Sequence, residues 1–159
     1  MGVYDGFSDT PNQIRSEGQN IDVTFIRNGD GTGTVKWNIP PPVAGCSVED
    51  QAYDGIVIIV SDKPANYIES SPKDGTYYEG DPTVDPDLHA GDKIDDARVL
   101  GAFYHDKTTK TLIVQDVKEK TPYYVSAYAV DSVGRYHREG VHAYSLPTGY
   151  LEYNENGDT

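Results

Sequence analysis

The chain has 159 residues, enough for one domain that buries its own core without a disulfide or metal to hold it. Its net charge of −13, from 26 acids against 13 Lys and Arg, repels phosphate backbones and anionic bilayers and so argues against nucleic-acid partners and membrane insertion. Cys46 is the single cysteine, which excludes an internal disulfide, and no apolar run is long enough to cross a bilayer.

In chain order, residues 1–20 are polar and carry Gly2, Gly6, Pro11 and Gly18, which reads as an N-terminal arm or linker. The opening MGVYDGFSD has neither a basic start nor an apolar stretch, so no cleaved signal peptide is expected. Ile21, Val23 and Phe25 alternate as a first strand. NGDGTG, Asn28 to Gly33, is a hairpin turn with glycines placed for positive φ. In TVKWNIPP, Val35, Trp37 and Ile39 alternate with polar neighbours until Pro40 and Pro41 stop the strand. A loop then runs from Pro42 through Cys46 to Tyr53, and Ile56 to Val60 forms an aliphatic third strand. A long insertion follows, about 63–108. It holds a Lys73-Asp74-Gly75 turn, an Asp- and Pro-rich stretch from Asp81 to Asp96 and a further strand at Val99–Tyr104. HDKTTK, His105 to Lys110, is expected to be a hairpin turn into Leu112. TLIVQDV, Thr111 to Val117, leads through a charged turn to YYVSAYAV. There Val125, Ala127 and Ala129 fall on one face, and Tyr124, Ser126, Tyr128 and Val130 on the other. A last strand is expected within Val141–Leu146, and residues 149–159 form a tail or linker.

Tyr123, an aromatic opening a strand just past a turn, has the sequence form of the tyrosine corner of sandwich domains. With Trp37, Val117, Val125, Ala127, Ala129, Asp131 and Gly134 it resembles the fibronectin type III pattern over roughly residues 20–148. Val117 stands where that family usually has Leu, and the segment between Asp62 and Thr108 runs longer than is usual. The resemblance implies an all-β antiparallel sandwich, immunoglobulin-like, over residues 21–148, with the insertion between its third and fifth strands. Trp37, Ile58, Leu112, Val114, Tyr123, Val125 and Ala127 are the expected core.

No constellation of residues points to catalysis. GDGTGT lacks the Lys of a phosphate loop and has no helix pattern after it. His137 and His142, five apart around Gly140, are badly spaced to share a metal. Eight acids lie between Asp74 and Asp96, but they do not follow the alternation of an EF-hand loop, so no metal is expected there. The expected cofactor set is therefore empty, and the chain is expected not to be an enzyme.

One face stands out. Val57 and Ile59 point away from the core on the third strand, as do Tyr124, Tyr128 and Val130 near the end of the chain. The resemblance makes these two strands neighbours, so their outward sides join into one apolar and aromatic patch. A sheet face of that kind is normally covered. The expectation is that the insertion folds over it or that a partner protein docks there, either a sister copy or another subunit. These five residues are therefore the expected partner-binding set. The resemblance implies a structural or adhesion module, of the sort found in phage tails and virions or on bacterial surfaces. The competing expectation is a glycan-binding module that uses exposed tyrosines.

Overall fold

The computed structural model describes residues 21–39, 53–63, 71–137 and 141–145. The expected arm (1–20), the Cys46 loop and the expected tail (149–159) lie outside these residues. Among the described residues eight strands form two antiparallel sheets: β1 (Val23–Arg27), β2 (Thr32–Trp37), β3 (Gly55–Ser61), β4 (Lys93–Ile94), β5 (Ala97–Tyr104), β6 (Thr111–Gln115), β7 (Tyr123–Val130) and β8 (Val141–Ser145). One sheet has the order β1-β2-β6 and the other β4-β5-β3-β7-β8. The fold is thus a fibronectin type III-like β-sandwich.

Two-residue periodicity sets the core. Val23, Val35, Trp37 and Val114 from the three-stranded sheet meet Ile56, Ile58, Val60, Tyr123, Val125, Ala127 and Ala129 from the five-stranded one. Leu112 is only half buried, because β6 is an outer strand of its sheet and Leu112 lies at the margin of the core. In the β1–β2 turn, Gly29 and Gly31 take φ of 85° and 88°, the left-handed region that glycine tolerates.

The tyrosine corner is formed. The Lys118 backbone N–H donates to the Tyr123 hydroxyl at 2.9 Å, which ties the start of β7 to the preceding turn. Arg27 reinforces the corner from the neighbouring sheet. Its guanidinium lies 5.2 Å from the centre of the Tyr123 ring and donates to the carbonyls of Lys118, Glu119 and Thr121. Tyr123→Phe should lower stability by about 0.5–1.5 kcal/mol in chemical denaturation, the net worth of one hydrogen bond. An unchanged midpoint would mean that the corner contributes nothing.

The segment His105–Lys110 is not a hairpin turn. β5 pairs with β3 and β6 pairs with β2, so the chain crosses here from one sheet to the other. Asp106 shapes the crossing by accepting from the backbone N–H groups of Thr108 and Thr109 and from their hydroxyls. Those donors, the Thr109 hydroxyl foremost, hold its carboxyl down at about 2. Turn-forming residues suit either kind of connection; the strand pairing decides between them.

The extra segment is integrated with the sandwich. β5 is a full strand beside β3, so the addition ends at the β4–β5 turn. Residues 82–84 run along the free edge of β6. The Gln115 N–H donates to the Pro82 carbonyl and the Val84 N–H to the Gln115 carbonyl, and the Val84 side chain enters the main core. The edge is blunted in this way. Buried Arg98 donates to the Val84 carbonyl at 3.1 Å and holds the same stretch from the β5 side.

The acids of the insertion serve as loop staples. Asp81 accepts from the Ala90 N–H, Asp92 from the Glu79 N–H, and Asp85 from the Asp87 N–H. Among the described residues no three metal-ligating side chains converge.

Candidate functional site

The five expected partner-binding residues lie on β3 and β7, which pair directly, with Val57 opposite Tyr128. Of the two covers expected for this face, the structure shows the insertion. Val57 and Ile59 are fully buried, and Tyr128 and Val130 nearly so. With Ile94, Ala97, Val99 and Tyr136 they form a second core, flanked by Tyr78, Ala102 and Tyr104. The reason is the apolar side chains themselves. Leaving each in water forgoes roughly 1.5–3 kcal/mol, and the chain's own insertion recovers it. Tyr124 is half buried and outside this cluster. These residues therefore do not present a free docking face, and Tyr124 and Tyr128 do not make an open glycan platform.

A tyrosine latch seals the cover. The Tyr136 hydroxyl donates to the Thr76 carbonyl at 2.6 Å and lies 2.7 Å from the Tyr104 hydroxyl. With its one proton spent on Thr76, Tyr136 must accept from Tyr104, whose oxygen in turn accepts from the Tyr78 N–H at 2.8 Å. The relay runs Tyr78 N–H, Tyr104, Tyr136, Thr76 carbonyl, and joins the insertion to β5 and to the loop after β7. Asp74 accepts from the Tyr136 N–H, and the Gly75 N–H donates to the Gly134 carbonyl. Burial pushes the Tyr104 and Tyr136 phenols up.

The open face lies on the other sheet. β1, β2 and β6 turn Thr24, Ile26, Thr32, Thr34, Lys36, Thr111, Ile113 and Gln115 outward. Ile26, Thr34 and Ile113 stand in one cross-strand row, with the two isoleucines 48% and 49% exposed. Asn28 lies at one end, its amide donating to the hydroxyls of Thr32 and Thr34. None of these eight positions is acidic, in a chain with 26 acids; the one charge is Lys36. Neither the threonines nor Ile26 and Ile113 were picked out from sequence. Their trace is the absence of acids from alternate positions of three strands.

No protein-family model matches the chain, and no curated protein sequence matches it. It is similar to several solved structures. One is a pectate lyase from Pectobacterium carotovorum, at 8% identity and a TM-score of 0.45, covering 81% of this chain and 28% of that one. Another is the spore cortex lytic enzyme SleM of Clostridium perfringens, at 10% identity and 0.42, covering 80% and 29%. A third is a Fn3-like protein from Clostridium thermocellum, at 12% identity and 0.41, covering 80% and 88%. The chain thus spans less than a third of the length of the two enzymes.

Proposed function

We propose that this chain is a non-enzymatic structural module, a component of a virion or a bacterial surface, that assembles with copies of itself through the outward face of β1, β2 and β6. The observation that carries this is the row Ile26–Thr34–Ile113, on a face whose eight outward strand positions hold no acid. Two copies that each bear −13 repel over most of their surfaces. Across its strands two copies meet no opposing carboxylate, Asp30 standing at the turn end where it accepts from the Thr32 hydroxyl, and the isoleucines gain from burial. The virion or surface setting rests on the kind of module the fold is used for, which is analogy.

The face is small. Eight side chains fall short of the roughly 20–30 residues a side of a standard stable interface, so the contact is weak and is populated only as concentration rises. Sedimentation over a roughly hundredfold concentration range reads this directly. The parent should rise above its 17.5 kDa monomer mass as concentration increases. The pair Ile26→Lys and Ile113→Lys should stay monomeric with an unchanged melting temperature, because both positions are exposed. A parent that stays monomeric throughout, or a double variant that associates as the parent does, contradicts the reading.

A further inference from the structure

The ends of β3, β5 and β7 form one pole of the sandwich, and the insertion carries Tyr77 to it. Tyr77 is 50% exposed, yet its ring is fixed on two sides. It stands edge-on to Tyr104 at 4.8 Å, and its hydroxyl rests over Gly134, where an added Cβ would come within 2.8 Å of that oxygen. The His105 ring lies beside it, 6.5 Å between centres and tilted by 35°. His105 is itself held in place. Its φ is 54°, an uncommon conformation for a residue with a side chain, and its Nδ1 lies 2.6 Å from Asp54 Oδ2. The Asp54 side chain is largely buried while that of His105 is largely open, so the carboxylate orients the ring and the ring faces solvent.

We propose that Tyr77, His105 and Asp54 form a binding site for a neutral sugar ring. The donor and acceptor roles select this chemistry. With Nδ1 taken up by Asp54, His105 leaves Nε2 for a ligand hydroxyl, and the second oxygen of Asp54 is an acceptor. Beside them stands a fixed aromatic wall with a polar tip. A ligand that suits this arrangement supplies several hydroxyl donors and one apolar C–H face. A pyranose has both. An acidic sugar would bring a carboxylate toward Asp54 on a chain of charge −13, which disfavours it. The site lies on a different part of the molecule from the β1-β2-β6 face and does not depend on assembly there.

The test is calorimetric titration of the full chain with N-acetylchitohexaose, cellohexaose and maltohexaose, with oligogalacturonate as the charged control. At least one neutral oligosaccharide should bind and oligogalacturonate should not. Tyr77→Ala and His105→Ala should each weaken that binding by about tenfold or more, the scale of one lost contact in a small site. The His105 side chain is largely open, so His105→Ala should still fold, with a melting curve as the check, and it decides the matter should Tyr77→Ala loosen the insertion. The proposal is overturned if none of the three neutral oligosaccharides binds, if binding is unchanged in His105→Ala, or if oligogalacturonate binds more tightly than they do.

Discussion

Trp37→Ala should lower the unfolding free energy by about 3–5 kcal/mol, the usual cost of emptying a large aromatic from a packed core. Trp37 closes β2, lies opposite Val23 on β1 and packs on Phe103 of the other sheet at 5.7 Å between ring centres. It is 4% exposed, so almost the whole ring is removed from water on folding. The loss would take a large share of the roughly 5–15 kcal/mol that holds an ordinary domain. Urea denaturation should show a lower midpoint with the same slope, since the surface exposed on unfolding hardly changes. A cost below about 1 kcal/mol would mean that the two sheets are not held together through this ring.

The latch should show the second large effect. Tyr136→Ala removes a nearly buried ring from the second core along with two hydrogen bonds, and about 3–5 kcal/mol should be lost. Tyr136→Phe keeps the ring but leaves the Thr76 carbonyl without the donor it now has, which should cost about 1–3 kcal/mol. The phenols also predict the pH dependence. Their folded values lie above the ordinary 10, so the neutral form is favoured on folding. This contribution is complete below about pH 10 and is lost as the pH rises toward the folded values, because the unfolded phenol ionises first. Melting temperature should therefore fall above about pH 10, and fall less steeply in Tyr136→Phe. An identical alkaline slope in parent and variant would remove Tyr136 from the latch.

Strand parity was legible in the sequence. The alternation of Val125, Ala127 and Ala129 against Tyr128 and Val130 assigned both faces of β7, and Tyr123 marked its start. The joined patch of Val57, Ile59 and Tyr128 was legible too, as was its need for a cover. The sequence could not choose between the two expected covers, the insertion and a partner. The insertion has no sustained period, because its backbone bonds go to side-chain carboxylates such as Asp81 and Asp92 and to the edge of β6 rather than to a ladder of its own. Acids that follow no motif in the sequence act as staples in the fold. Periodicity likewise shows which way a side chain points but not which strand lies beside it, and this is why His105–Lys110 read as a hairpin. The open face went unnoticed because isolated threonines and isoleucines on separate strands carry no motif; only the pairing of β1, β2 and β6 assembles them.

Hydroxyl-radical footprinting of the chain, first dilute and then concentrated, tests most directly which sheet face is closed from within and which is open. In the dilute chain Tyr128 should be protected, while Tyr77, Ile26 and Ile113 are modified. On concentration Ile26 and Ile113 should become protected and Tyr77 should not. Tyr128 modified as readily as Tyr77 in the dilute chain would contradict the intramolecular cover, and Ile26 and Ile113 equally modified at both concentrations would contradict assembly through the open face.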